Sequence, residues 1–172
     1  MFKRIQKIFF TRNITKNLKK RTMFGVNDSL TTIGFLVNEE EHINFDIFFD
    51  MSIALGLQQK DTKIFSFTDI KTKTPTLIQN KIFSNHFNWR GEINNNNALD
   101  FLNTQLDVLV SYYDTKNNYL NLMTSKSKAK FKVGFNGVDN RLFDLIINVD
   151  PQKNLDVKSE LLKYFKVLNK IN

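Results

Sequence analysis

The stretch LDVLVSYYDTKNNYLNLMTSKSKAKFKVGFNG, from Leu106 to Gly137, decides the fold because a strand, a helix and a second strand follow one another in it. Its opening residues, LDVLVSYY, are rich in β-branched, aliphatic and aromatic side chains, which is typical of a buried strand. The segment from Tyr119 to Ala129 has the pattern of a modest helix, and KFKVGF then returns to a strand pattern. A strand–helix–strand unit of this kind predicts two parallel strands joined by a right-handed crossover.

The same alternation continues on both sides of this stretch. Apolar runs predict further strands at Ile33 to Val37, Lys63 to Phe67, His86 to Gly91 and Leu142 to Val149. Since several of these runs are apolar on both faces, they indicate a mostly parallel sheet that is covered on both sides. We predict the strand order 3-2-1-4-5-6. The last strand follows its predecessor too closely for a helical crossover, so that pair is predicted to be antiparallel or to be joined by an irregular loop.

The helices between these strands are marked by polar caps and by apolar spacing. Asn44 can cap a helix that begins at Phe45, and the run Asn94 to Asn97 can cap the helix that follows it. Val157 to Leu168 has the spacing of a closing amphipathic helix. The prediction is a single-domain Rossmann-like α/β fold of five or six strands with helices on both faces. The predicted core consists of Ile33, Phe35, Phe48, Phe49, Val108, Val110, Val133, Leu145, Ile147, Leu161 and Phe165.

Composition excludes several classes of site. The chain has no Cys, so disulfides and thiolate metal sites are excluded, and its two His residues lack the spacing of a metal site. The longest mainly apolar run, Phe45 to Leu57, contains two Asp residues and is too short to span a membrane. We therefore expect no metal and no cofactor.

Positive charge is concentrated at the N-terminus. Met1 to Thr22 contains eight of the 25 basic residues and no acid, which leaves 17 basic and 17 acidic residues in the rest of the chain. The pattern predicts a basic amphipathic arm over residues 1–24, consisting of two short helices, and a single α/β domain over residues 25–172. The arm either packs on the domain or binds an anionic surface, and a membrane is favoured over nucleic acid because apolar residues are interleaved with the basic ones. The basic residues are Lys3, Arg4, Lys7, Arg12, Lys16, Lys19, Lys20 and Arg21.

A ligand crevice is expected where the strand order reverses, outside the carboxyl ends of the first and fourth strands. Carboxylates and an imidazole there would suit a general base or a hydrated cation, whereas an acidic run before a helix is also an ordinary solvated start that favours the positive end of the helix. The two consecutive Tyr residues point to opposite faces of their strand, so at most one of them faces the crevice. The candidate crevice residues are Asn38, Glu39, His42, Ser111, Tyr112 and Asp114.

A second candidate site is the turn at the end of AKFKVGFNG. Lys132, Gly134 and Asn136 could contact an anion, but a dinucleotide fingerprint needs three glycines and a following helix, and neither is present. The alternative is that the glycines only form a turn. In that case Lys128, Lys130 and Lys132, at alternate positions, protect a sheet edge against aggregation.

The quoted stretch, together with FDLIINV and ELLKYFKVLNKI, resembles an uncharacterised bacterial family of short α/β proteins that begin with a basic helix and have no known activity. Residues Asp107 to Phe135 are also distantly similar to the acceptor-side domain of heptosyltransferase-type glycosyltransferases, a likeness that implies the binding of a sugar nucleotide or a phosphosugar. Those enzymes use two Rossmann-like domains, and this chain has room for one.

We therefore expect a small cytoplasmic protein, peripheral to the inner face of the membrane, that acts by binding and not by catalysis. The alternatives are a small enzyme or a domain that binds sugar nucleotides or phosphosugars in the crevice, and a protein that binds nucleic acid through the basic arm.

Overall fold

The computed structural model describes residues 2–42, 44–69, 80–113 and 117–172. Helices and strands alternate along most of this length, as the sequence predicts. The elements are α1 (Phe2–Lys20), β1 (Ile33–Asn38), α2 (Asp46–Ala54), β2 (Thr62–Thr68), β3 (Lys81–Phe83), α3 (Asn96–Asn103), β4 (Val108–Tyr112), α4 (Asn118–Lys126), β5 (Phe131–Phe135), β6 (Leu145–Ile147) and α5 (Asn154–Val167).

In the described part of the chain the strands form one sheet of order β3-β2-β1-β4-β5-β6. Every pair of neighbouring strands in it is parallel, including β5 and β6. The predicted α/β fold and strand order are confirmed, whereas the antiparallel alternative for the last pair is wrong. The link from β5 to β6 contains only a 3₁₀ turn at Asn140–Leu142, so an irregular loop here makes the connection between parallel strands.

Each face of the sheet carries its own apolar core. Side chains alternate along β1, so that Phe35 packs toward α2 and α5, whereas Leu36 packs toward α3 and α4. Of the predicted core residues, Phe49 and Leu145 are only half-buried and the others are buried. Burying a large apolar side chain contributes about 1.5–3 kcal/mol, so the two cores supply the main stabilisation of the fold.

Helix α4 is buried on both sides because α1 lies over it. Residues 120–125 of α4 are all buried, and α1 contacts α4 through Phe10 and Ile14, which are also buried. Helix α1 is therefore an outer layer on the face of the sheet that α3 and α4 cover.

The basic N-terminal segment forms one continuous helix, so the prediction of two short helices is wrong. The segment from Thr11 to Asn13 contains no Gly or Pro, and the Thr11 hydroxyl donates to the Lys7 carbonyl within the helix. The Asn13 amide donates outward to the Arg90 carbonyl. The shift in the apolar pattern near Thr11 to Asn13 therefore does not correspond to a break in the helix backbone. The boundary at residue 24 stays a prediction.

The predicted third strand is also wrong in position. β3 is Lys81–Phe83, and the predicted strand from His86 to Gly91 forms the end of a 3₁₀ turn and a loop. The His86 Nδ1 accepts from the Phe83 backbone N–H, which stabilises that turn. Gly91 has φ +83°, a left-handed conformation that ends any extended run.

One of the two helix caps predicted from the sequence forms as expected. The Asn95 side chain accepts from the Ala98 N–H at the start of α3, as the asparagine run predicts. A cap of this kind stabilises a helix by about 0.5–2 kcal/mol. The predicted cap of α2 is wrong, because that helix begins at Asp46 after an N-cap at Phe45 without a side-chain bond, and Asn44 accepts from the Asp46 N–H in the preceding turn.

Candidate functional site

The acidic segment after β1 is divided between two networks. Asn38 is buried at the end of β1 and donates to the Glu41 carboxylate. Glu39 turns toward the neighbouring strands, where it pairs with Lys81 and accepts from the hydroxyl groups of Ser66 and Thr68. The Glu39 side chain therefore ties β1 to β2 and β3, and it has three protein partners.

His42 packs as an aromatic side chain at the same end of the sheet. Its ring lies 4.7 Å from the ring of Tyr112, edge to face, and its Nε2 has no hydrogen-bond partner among the described residues. Burial lowers the pKa of His42, and the charge of Asp150 opposes this effect. The imidazole is consequently neutral near pH 7.

The residues at the end of β4 point to opposite faces, as the alternation predicts. Tyr112 donates to the Asn154 side chain on the α5 side. Ser111 and Tyr113 both bond the hydroxyl of Thr124 under α4. Burial raises the pKa of both tyrosines, so both remain protonated. The structure therefore brings His42 and Tyr112 together and places Ser111 on the other face, and Asp114 lies outside the described residues.

A cleft of about 340 Å³ opens at the carboxyl end of the sheet. Glu41 and Asp150 contribute its charged groups, and none of the described residues that line it is basic. A phosphate group would meet carboxylates there with no described cation to offset its charge. Within the described part of the chain, no three acidic or imidazole side chains converge closely enough to hold a metal ion.

Lys132, Gly134 and Asn136 do not form one site. The Lys132 ammonium is fully buried and donates to the Thr124 carbonyl of α4, and β5 is an interior strand instead of a sheet edge. The space beside Gly134 is filled by the ring of Phe143, and the exposed Asn136 donates to Asn148. The lysine is thus held inside the protein, and the hypothesis of a protective edge is wrong for it.

Gly137, the second glycine of the stretch AKFKVGFNG, forms a turn. Gly137 has φ +88°, which side-chain-bearing residues rarely adopt. Its conformation explains the second glycine without a ligand, in agreement with the alternative that the sequence left open.

Helix α1 presents an outer face, which we define as Ile5, Ile8, Arg12, Lys16 and Lys19. These residues recur every three or four positions, and each is exposed. Ile8 is 58% exposed and Ile5 is 41% exposed, so two large apolar side chains of this face meet solvent. Because residues 1–22 contain no acid, no carboxylate of α1 offsets the cations of this face.

The remaining basic residues of the arm differ in their surroundings. Arg4, Lys7 and Lys20 are exposed, and the side chain of Lys3 lies outside the described part of the chain. Arg21 is different, because it forms an ion pair with Asp144 and also donates to the Lys130 carbonyl. It therefore fixes the end of α1 to the sheet.

Two short segments beside α1 add exposed aromatic and apolar groups that the sequence reasoning missed. Met23 and Phe24 follow the helix and are 57% and 86% exposed. Trp89 contacts Phe9 at a ring distance of 4.9 Å, and the Arg90 guanidinium stacks 4.7 Å from the Trp89 ring. The available signal was a large apolar residue within two positions of a positive-φ glycine, namely Phe24 before Gly25 and Trp89 before Gly91.

The chain belongs to a family of unknown function, DUF6913, whose family model matches residues 6–168. This confirms the resemblance to an uncharacterised family of α/β proteins. No curated protein and no solved structure matches the chain, and no relative supports the likeness to heptosyltransferase-type enzymes. No helix in the described residues is long and apolar enough to cross a membrane.

Proposed function

We propose that this protein is a non-catalytic binding module that attaches to anionic membrane surfaces through the outer face of α1, at the cytoplasmic side of the membrane. The observation that carries the proposal is the outer face itself, where Arg12, Lys16 and Lys19 share one side of a helix with the exposed Ile5 and Ile8. Basic residues interleaved with exposed apolar ones are the pattern of helices that lie in a membrane interface.

The magnitudes are sufficient for reversible attachment. A Lys or Arg near an anionic leaflet contributes about 1 kcal/mol, so the three cations of the outer face together contribute about 3 kcal/mol. Phe24, which is 86% exposed, can add apolar contact without disturbing the core. Trp89 is 38% exposed and has the amphipathic ring that favours membrane interfaces.

Two alternative roles for the outer face explain fewer of its exposed residues. Cations near the end of a helix also complement its dipole, but this effect falls off within the last turn and does not account for Arg12 or for the exposed isoleucines. Binding to nucleic acid would use the same cations, yet it gives no role to Ile8, Met23 or Phe24, since phosphate contacts dominate such interfaces.

The alternative of a sugar-nucleotide or phosphosugar site at the carboxyl end of the sheet is disfavoured by charge. The cleft there is lined by Glu41 and Asp150 and by no described basic residue. The buried His42 and Tyr112 serve the packing between α2, α5 and the sheet. We therefore do not place the function of the protein in this cleft.

The test is co-sedimentation of the full chain with vesicles of phosphatidylcholine, with and without phosphatidylglycerol. The triple variant Arg12→Gln/Lys16→Gln/Lys19→Gln should bind the anionic vesicles about 100-fold more weakly. The matched control, Lys153→Gln/Lys158→Gln/Lys166→Gln, removes the same charge from α5 and its start and should bind like the wild type. Failure of the full chain to pellet with anionic vesicles at low salt would refute the proposal.

A second pair of variants tests the apolar contribution. Phe24→Ser should weaken vesicle binding without lowering the melting temperature, because the ring is almost wholly exposed. Leu155→Ser is the control, since Leu155 is 76% exposed on α5. Binding of duplex DNA by the wild type with a steep salt dependence, and no effect of Phe24→Ser on vesicle binding, would favour nucleic acid instead.

A further inference from the structure

A small basic cleft lies where the C-terminal ends of α1 and α4 come together. It has a volume of about 240 Å³, and residues from the end of α1, from the α4–β5 link and from Gln105 surround it. Four of its residues are basic and none is acidic, namely Lys20, Arg21, Lys126 and Lys128. The cleft is below the roughly 300–1,000 Å³ of pockets that enclose drug-sized ligands, so it suits a compact polar group.

The charge of the cleft matches that of a phosphate monoester. Lys20, Lys126 and Lys128 are exposed, and none of them forms an ion pair with a described residue, whereas the charge of Arg21 is offset by Asp144. The two helix ends oppose these cations with about half a negative charge each. The surplus is about two positive charges, and a phosphate monoester carries about −1.5 to −2 near pH 7.

The hydrogen-bonding groups of the cleft also favour an acceptor-rich ligand. Arg21 Nε is buried and has no partner among the described residues, although the end of its guanidinium binds Asp144. A buried donor without a partner destabilises the folded state, and an acceptor oxygen that reached it would remove that penalty. In contrast, the Asn17 amide and the Ser125 hydroxyl already donate to protein acceptors. The donors of the cleft without a described acceptor are therefore Arg21 Nε and the ammonium groups of Lys20, Lys126 and Lys128.

This cleft is continuous with the surface of α1 through Lys20, which borders both the cleft and the groove along Arg12, Lys16 and Lys19. We propose that the cleft binds the terminal phosphate monoester of a membrane lipid such as phosphatidate, while the outer face of α1 contacts the surrounding anionic surface. The inference rests on the proposed function for the source of the phosphate. A free phosphate monoester has the same chemistry, and inorganic phosphate is the probe that separates the two sources.

The experiment compares vesicles containing phosphatidate with vesicles containing phosphatidylglycerol, adjusted to the same surface potential. The wild type should bind the phosphatidate vesicles about tenfold more tightly, the value of one or two hydrogen bonds to a charged group. Lys126→Gln/Lys128→Gln should lose this preference. Arg12→Gln/Lys16→Gln should weaken binding to both kinds of vesicle while it keeps the preference, and Lys153→Gln/Lys158→Gln should change neither.

The remaining outcomes separate this inference from the proposed function. Equal binding of the wild type to both kinds of vesicle overturns the inference and leaves the proposed function intact. If the wild type ignores both kinds of vesicle, the proposed function fails, and titration with inorganic phosphate is followed at the Arg21 Nε–H resonance. A saturable shift that Lys126→Gln/Lys128→Gln abolishes would then assign the cleft to a soluble phosphate and overturn the lipid source. No shift would overturn the site altogether.

Discussion

Lys132 provides a quantitative test of the packing between α4 and the sheet. Its ammonium has no exposed surface and donates to the Thr124 carbonyl at 2.6 Å. Burial and then the positive charge of Arg21 lower the pKa of Lys132 to about 7, while Asp144 acts in the opposite direction. The hydroxyls of Ser111 and Tyr113, which bond the Thr124 side chain, are the neighbouring polar groups from β4.

The sign and the magnitude of the pH effect follow from linkage. An unfolded lysine titrates near pH ~10.4, so between the two pKa values the unfolded chain holds a proton that the folded chain lacks. The free energy of unfolding then rises with pH, by at most about 1.4 kcal/mol per pH unit for one group. Between about pH 7 and about pH 9, the titration of Lys132 should raise the free energy of unfolding by about 2 kcal/mol.

The assay is urea unfolding of the wild type and of Lys132→Met across that pH range. The variant leaves the Thr124 carbonyl without its donor, which costs about 1–3 kcal/mol at every pH, but it removes the pH-dependent contribution. The stability difference between wild type and variant should therefore grow by about 2 kcal/mol as the pH rises. Lys128→Met, at an exposed position, should keep the wild-type slope. Parallel curves for the wild type and Lys132→Met would show that the reasoning about Lys132 is wrong.

Three further variants test the fold. Val110→Ala, in the fully buried centre of β4, should lower the free energy of unfolding by about 1–4 kcal/mol in chemical denaturation, and an unchanged melting curve would contradict the strand assignment. Gly134→Ala places a Cβ 2.8 Å from the ring of Phe143 and should destabilise the protein by about 1–3 kcal/mol. An unchanged melting temperature in calorimetry would contradict this expectation and would mean that the ring moves aside freely. Asp107→Asn should reduce stability at neutral pH and flatten its acid dependence. Although burial raises the pKa of Asp107, the hydrogen bond from Lys130 and those from neighbouring threonines lower it to about 2. The stability that this carboxylate contributes is present above about pH 4 and is lost as the pH falls toward about 2, so equal acid dependence in both proteins would refute its role.

The strand order could be predicted from the sequence because β1 and β4 are buried on both faces and are mainly apolar runs. β5 is also buried, although Lys132 interrupts its apolar pattern. The position of β3 could not be predicted from the sequence. That strand is three residues long, and the aromatic run downstream of it is stronger as a pattern. Phe87 and Trp89 in that run pack on Phe10, Phe9 and Tyr119, so their apolar character reflects contact with α1 and α4. The antiparallel bridge between Phe87 and Ile93 lies outside the named strands of the sheet.

The candidate sites were harder to predict because they depend on partners distant in the chain. The sequence places Arg21 among the other cations of the arm, and its contacts with Asp144 and with the Lys130 carbonyl separate it from them. Likewise Lys132 follows the alternation of Lys128 and Lys130, but α4 covers it completely. Charge patterning indicates a candidate segment, whereas the fold decides which of its charges are available to a partner.

The anchoring of α1 bears on the proposed membrane attachment, because it makes the helix a folded layer and not a disordered arm. Asn13 donates to the Arg90 carbonyl, Asn17 to the Ser125 hydroxyl and Arg21 to Asp144, so successive turns of the helix are held on one side. The opposite side then displays its cations in a fixed arrangement before any contact with a membrane. Ordering a disordered segment on binding costs several kcal/mol, comparable to the contribution of the three outer-face cations. A helix that is already folded avoids this cost, and modest attraction is then sufficient for attachment.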